Sequence, residues 1–481
     1  MTEPFPAPEA MPIDLEIEAA LDESREARAE ALLEFARIPS VSALPDHRDD
    51  MWRAAEWVAA RLRRLGATEV EVAETPLHPI VYGRIHEAPG APTALVYCHY
   101  DVQPVDPIEL WETAPWEPFL RDGRFVGRGV ADDKGQLVMH LSALEAMRAA
   151  GKAPAVNLTF VFEGEEEFGS ESLYRWIDAN ADRLAADVAI ISDTGFFEGN
   201  HPAITVGLRG IMYAQVDVEL SPVDLHSGMY GGTVQNPANA LASIIAALKG
   251  PDGRVRVPGF YDDVVPLSPE DREALAALPF DEEAYREAIP VSALVGETGF
   301  TVLENKGARP TLDVNGIWGG FTGDGAKTII PAHAHAKISA RLVADQDPKK
   351  VFGALEAFVA EVAPAGVTVT TTFIHGGHPS RTPTDHPATL AAARSIRAVY
   401  GVDPVFIREG GSIPVTAAFT NQLALPVVLL GFSQPSCNAH APNEWLDLDN
   451  FERGTRVIVR LWDELASIAP APEAEGEAQP A

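Results

Sequence analysis

Short apolar runs alternate with segments of helical spacing from residue 68 to residue 192, and this alternation narrows the possible folds more than any other feature. Residues 70–72, 80–85, 93–98, 156–162 and 188–192 read as strands, and 135–150 and 172–181 as helices. Upstream, 13–37 carries Ala, Leu and Glu at amphipathic spacing and predicts a helix that Pro39 stops; 51–65 predicts a second, ended by Gly66. Strands alternating with helices imply an α/β sheet covered on both faces. In such sheets ligands bind beyond the carboxyl ends of the strands.

Near Gly210 the pattern changes. Residues 211–220 alternate as a half-buried strand, 236–248 form an Ala-rich helix, and 250–309 read as an insertion rich in Pro, acidic residues and turn signals. Residues 311–317 and 334–343 are strand-like; in the latter, Ala334, Ala336, Ile338 and Ala340 alternate with His335, Lys337, Ser339 and Arg341. A helix at 348–362, a strand at 367–374 and a helix at 390–399 follow, then a core strand at 427–430 and a final helix at 448–466. The predicted organisation is an α/β domain in two parts, 1–209 and 404–468, an α+β domain inserted at 210–403, and a disordered tail of Ala, Pro and Glu at 469–481.

With 481 residues, two domains are expected. The balance of 37 Lys and Arg against 70 Asp and Glu gives a net charge of −33, whose field repels nucleic acid and anionic membranes and argues against both as partners. Two cysteines, Cys98 and Cys437, make no disulfide framework. The first twelve residues lack the basic start and apolar core of a signal peptide, and no apolar run reaches roughly 18 residues, so a cytoplasmic location is expected.

Metal-capable side chains recur at the ends of the predicted strands: His99 and Asp101, then Asp132-Asp133, Glu166-Glu167, Asp193 and the distant His440. Each has a plainer reading alone. Asp132-Asp133 could be a helix N-cap, and the four acids of Glu163-Gly164-Glu165-Glu166-Glu167 a solvated turn. In this order they suit two divalent ions, which sit roughly 3.5–4 Å apart and need a bridging carboxylate. Adjacent carboxylates allow one to bind metal while the other stays free as a general base. His99 can ligate while Asp101 orients an imidazole or stiffens the loop.

The motifs His-x-Asp, Gly-Arg-Gly-x-x-Asp-Asp-Lys-Gly (127–135), Glu-Gly-x-Glu-Glu-x-Gly-Ser (163–170) and Asn-x-His-x-Pro-Asn-Glu (438–444), with the insertion segment 258–266, resemble the M20 metallopeptidases, specifically the dipeptidase and carnosinase type. The resemblance implies a zinc-exopeptidase-like catalytic domain with a mixed sheet covered by helices, and an inserted lid and dimerisation domain. It implies that His99 and Asp193 bind one metal, that Glu167 and His440 bind the other, and that Asp132 bridges them, with a cis peptide after Asp132. Glu166 would be the general base and Asp101 would orient His99. The ions would be zinc, with manganese or cobalt also suited to the donors. In the inserted domain, His226 would reach the partner subunit's site in a homodimer and stabilise the oxyanion. Thr328, Arg341, His378, Gly411 and Ser412 would contact the substrate, with His375 a rival for His378. A fixed Arg suits a free carboxylate, which points to dipeptides as substrate. Phe168 and Thr194-Gly195-Phe196-Phe197 depart from the polar or Trp-containing variants of the animal enzymes and leave side-chain specificity open. The alternative activity is deacylation of N-acyl amino acids, or desuccinylation, by the same chemistry.

Overall fold

The computed structural model describes residues 14–468, except Pro290, Ser412 and the side chain of Pro414; the expected tail at 469–481 lies outside the described residues. The chain forms two compact units. Of the described residues, one unit contains those up to Val206, Thr382–Ile407 and those from Ile413 on; the other contains those of 207–381 and 408–411.

The first unit is built on a mixed sheet whose strands run in the order Thr68–Ala73, Ile80–Ile85, Asn157–Glu163, Thr93–His99, Val188–Ile191, Val427–Leu429 and Ala203–Leu208. Its centre is parallel: Thr93–His99 pairs in parallel with both Asn157–Glu163 and Val188–Ile191, and Val427–Leu429 continues the parallel set. These strands are buried on both faces, which is why they read as continuous apolar runs rather than as alternation. Helices Lys134–Ala149 and Leu448–Leu465 pack together in the core, with Phe451, Ile458 and Trp462 fully buried. Each such side chain contributes roughly 1.5–3 kcal/mol relative to exposure.

The predicted helix at 13–37 is two helices, Leu15–Glu23 and Arg25–Ala36. They break at Ser24, whose φ of −91° and ψ of 5° leave the helical region and whose hydroxyl donates to the Ala20 carbonyl at 2.6 Å beside its own main-chain N–H at 3.0 Å. The strand Ala203–Leu208 and the small sheet of Phe119–Arg121, Arg124–Val126 and Trp445–Asp447 were not expected.

The second unit is a four-stranded antiparallel sheet in the order Thr311–Gly319, His333–Leu342, Gly210–Glu219 and Thr368–Gly377. Ala334, Ala336, Ile338 and Ala340 face its core, together with Met212, Ala214, Val216 and Val218. Helices Pro237–Leu248 and Pro348–Val362 cover that face. The helix Pro387–Tyr400, expected inside the inserted segment, instead buries Ala388, Ala391, Ala392 and Ile396 in the first unit's core against Leu448–Leu465. The second unit therefore closes at Arg381 rather than 403, and regains Arg408 to Gly411.

Candidate metal centre

Parallel register brings the site together. His99 pairs with Glu163 across adjacent strand ends, and Asp193 lies two residues past Val188–Ile191, whose Ile191 is level with Tyr97. The loop after Val427–Leu429 returns His440 to the same edge.

His99 is fully buried, with its Nδ1 3.1 Å from the Asp101 carbonyl oxygen and 3.3 Å from Asp101 Oδ1. Its Nε2 lies 3.1 Å from Asp132 Oδ1 and 3.5 Å from Asp193 Oδ1. The other oxygen of Asp132 lies 2.9 Å from His440 Nε2, which is also 3.1 Å from Glu167 Oε2. One carboxylate thus faces both imidazoles. Asp132, Glu167 and His440 bring donor atoms within 4.8 Å of one another, as do His99, Asp133 and Asp193. Asp133, absent from the expected ligand set, has one oxygen accepting the His99 main-chain N–H at 3.2 Å, so it also supports the strand end.

The cluster carries more carboxylates than bases. Burial, and then the charge of Asp193, raises Glu166 well above the usual carboxylate range; burial also holds Asp193 up at about 6. Burial opposes a charge on His99, but Asp193 and hydrogen bonds to Asp101 and Asp132 outweigh it and raise its pKa. Hydrogen bonds to Asp132 and Glu167 lift His440 to about 10. Such a buried excess of negative charge is costly unless cations share it. An imidazole with Nδ1 on a carboxylate and Nε2 turned to a cluster of oxygens is the disposition of a metal ligand. The mixed nitrogen and oxygen donors fit zinc, manganese or cobalt.

The neighbouring acids divide by orientation. Asp101 accepts the main-chain N–H groups of Glu166 (3.3 Å) and Glu167 (3.2 Å), so it fixes that turn as well as His99. Glu163 accepts Tyr97 Oη (2.6 Å) and Ser170 Oγ (2.9 Å), and burial pushes it up to about 8. Glu165 accepts the N–H groups of His78 (2.9 Å) and Ser172 (3.1 Å). Two of the four acids therefore hold the turn. Gln103, which the motif reading missed, donates to Glu167 Oε2 at 2.9 Å.

The loop Asp132 sits on is fixed by Glu444, whose fully buried carboxylate accepts Arg128 Nη1 (2.7 Å) and the N–H groups of Gly129 (2.8 Å), Ala131 (2.9 Å) and Asp132 (3.1 Å). The Asp132–Asp133 peptide is cis, as the resemblance implied. Around His440, Asn438, His440 and Asn443 all have left-handed backbone, with φ of 56°, 62° and 60°. Asn side chains tolerate that region, and these two tie it down: Asn438 Nδ2 donates to the Asn443 carbonyl at 3.2 Å, and Asn443 Oδ1 accepts the Glu112 N–H at 2.8 Å.

The remaining candidates lie in the second unit. His226 is exposed, its Nδ1 accepting the Gly228 N–H at 3.0 Å, and Thr328 is its neighbour through the Ser227 N–H to Thr328 carbonyl bond of 3.1 Å. Arg341 lies beside His375, which stacks on Tyr213 at 5.3 Å; His378 stands 3.8 Å from Asp347. The Gly411 carbonyl accepts the Arg209 N–H at 3.1 Å, and Ser412 lies outside the described residues. His335, set aside as a strand-surface residue, meets Asp217 at 2.5 Å. Phe196 and Phe197 are buried, Phe196 against Tyr400 at 5.2 Å, so they are core residues; Phe168 is 59% exposed beside Glu167.

Residues 95–464 match Peptidase family M20/M25/M40. The chain belongs to this family. It is 35% identical over 465 residues to a Cys-Gly metallodipeptidase of Schizosaccharomyces pombe, covering 94% of this chain and 98% of that one. It is 32% identical over 445 residues to the human beta-Ala-His dipeptidase, covering 89% and 88%. Among solved structures, an M20 family metallo-carboxypeptidase from Sulfolobus solfataricus superposes with a TM-score of 0.82 at 32% identity, over 92% of this chain and 99% of that one. The protein is thus a hydrolase of the M20 metallopeptidases, which use divalent metal ions. No described helix is long and apolar enough to cross a membrane.

Proposed function

We propose that the chain hydrolyses the peptide bond of dipeptides with a free C-terminal carboxylate, using two divalent ions per subunit. His99 and Asp193 would hold one ion, Glu167 and His440 the other, with Asp132 between them. The observation that carries this reading is the single Asp132 carboxylate lying 3.1 Å from His99 Nε2 and 2.9 Å from His440 Nε2. Further support comes from relatives named for Cys-Gly and beta-Ala-His dipeptidase activity.

When bound, such ions would polarise the scissile carbonyl and lower the pKa of the attacking water. Glu166 takes a proton from that water on its carboxylate and hands it to the departing amine. Asp101 keeps Glu166 in place through its main-chain N–H. Arg341 pairs with the substrate carboxylate, and Gly411 serves the same end. His226 is supplied by a second copy of the chain and stabilises the oxyanion.

Glu166→Gln tests the assignment. The variant keeps its metal, measured by elemental analysis, and loses roughly 10²–10⁴-fold in kcat on Ala-Ala. Hydrolysis near the wild-type rate would remove Glu166 as the base.

A further inference from the structure

Residues Arg408 to Gly411 form a strap that the insertion reaches and holds, all within the second unit. The Arg408 guanidinium donates to Asp271 Oδ1, and the two side chains are 18% and 25% exposed. Asp271 lies in the first turn of Pro269–Ala276, where its other oxygen accepts the Ser268 N–H at 3.4 Å. Its neighbour Arg272 donates at 2.8 Å to the buried Glu304 on the helix Val302–Gly307. That helix ends against the strap itself. A Cβ on Gly307 would stand 2.5 Å from the Arg408 carbonyl oxygen, and one on Gly410 would stand 3.3 Å from the Lys306 carbonyl oxygen.

Arg209 holds the other end. Its main-chain N–H donates to the Gly411 carbonyl at 3.1 Å and its Nε to the Gly410 carbonyl at 3.3 Å. A Cβ on Gly410 would stand 2.6 Å from Arg209 Nη2, so only glycine lets the guanidinium lie this close. Burial, then the neighbouring Arg341 charge, depresses Arg209 to about 10, which leaves it charged at neutral pH. A carbonyl and the following N–H are antiparallel in a trans peptide, so fixing the Gly410 carbonyl on Arg209 turns the Gly411 N–H away from it. The insertion is itself rigid: Glu297 accepts Arg309 in a buried two-pronged pair (3.0 and 2.9 Å) and Arg254 at 2.7 Å.

We propose that Asp271, through which the 250–309 insertion acts, and Arg209 are positioning residues that together set the Gly410–Gly411 strap for recognition of the substrate's carboxylate. The inference rests on the reading of Gly411 and Arg341 as the carboxylate end of the site. It gives the insertion a task in substrate selection, executed without touching substrate.

The test uses full-length, metal-loaded Asp271→Asn, which keeps an oxygen for the Ser268 cap but loses the charge facing Arg408. Steady-state kinetics on Ala-Ala and on its C-terminal amide are compared with wild type and with Arg341→Gln. The expected result is an Ala-Ala KM raised about tenfold, the scale of one charge-assisted hydrogen bond, with kcat within about twofold. The amide KM hardly moves, so the preference for acid over amide drops about tenfold, and Asp271→Glu restores most of it. If Arg341→Gln erases the preference but Asp271→Asn keeps it, the brace is overturned while the carboxylate reading stands. If Arg341→Gln itself leaves the preference intact, the carboxylate reading fails and the brace with it. Equal losses on both substrates with a lower Tm make Asp271 merely structural and also overturn the proposal. Should Asp271→Asn not fold, Arg408→Lys probes the same contact from the strap side.

Discussion

Glu444 carries as much of the site as any ligand. It lies inside the Asn-x-His-x-Pro-Asn-Glu segment, where the sequence marks it only as the end of a motif, yet its carboxylate accepts Arg128 and the main-chain N–H groups of Gly129, Ala131 and Asp132 on the loop bearing Asp132. Removing one partner of a buried ion pair typically costs about 3–5 kcal/mol. Glu444→Ala is therefore expected to lower Tm in thermal melts and, because Asp132, the proposed bridging carboxylate, loses its seat, to weaken metal affinity roughly 10–100-fold in a chelator competition. The acids at 163–167 make a related point. All four are visible as a cluster, but only the turn's folded path separates Glu163 and Glu165, which hold it, from Glu167, which faces the His440 imidazole.

Strands and helices of the first unit were legible because apolar runs and helical spacing are local. Ala203–Leu208 escaped notice because it is a short run between Pro202 and Arg209, with no alternation to mark it. The small sheet of Phe119–Arg121, Arg124–Val126 and Trp445–Asp447 joins segments over 300 residues apart, so nothing local announces it. On the helix Lys134–Ala149, His140 is fully buried, with Nε2 2.9 Å from Ser192 Oγ and its ring 6.3 Å from Trp462. Burial pushes it down to about 3 from its ordinary 6.5. A depressed folded-state pKa means the stabilisation is complete above about 6.5 and is lost as pH falls towards about 3, because the unfolded chain binds the proton more readily. Across that window, His140→Leu should lose less stability on acidification than wild type, by a difference on the order of a few kcal/mol in urea melts at stepped pH. Parallel slopes for the two proteins would refute the buried neutral imidazole.

At the scale of the whole molecule, the proposed role of His226 makes a prediction that a lone subunit cannot satisfy. If the residue works in the partner's site, Glu166→Gln and His226→Ala are each nearly inactive, yet refolding them together restores activity. The heterodimer has one site with both Glu166 and a partner's His226, so random assortment yields about a quarter of the wild-type rate. No recovery in an assay of the mixed, refolded sample would place His226 in its own subunit's chemistry or outside it.

The sequence by itself determined the α/β class, the family and the candidate metal-binding side chains, because apolar runs and motif spacing are written in consecutive residues. It also marked the face of 334–341 that turns inward. Only the tertiary structure decided which acids face the imidazoles, that Glu444 and Asp101 fix the loops, and that Pro387–Tyr400 belongs with the first unit. Those outcomes depend on register and on pairings between distant segments. A carboxylate's role follows from what burial and hydrogen bonding leave it facing, and that is settled only once the chain has packed.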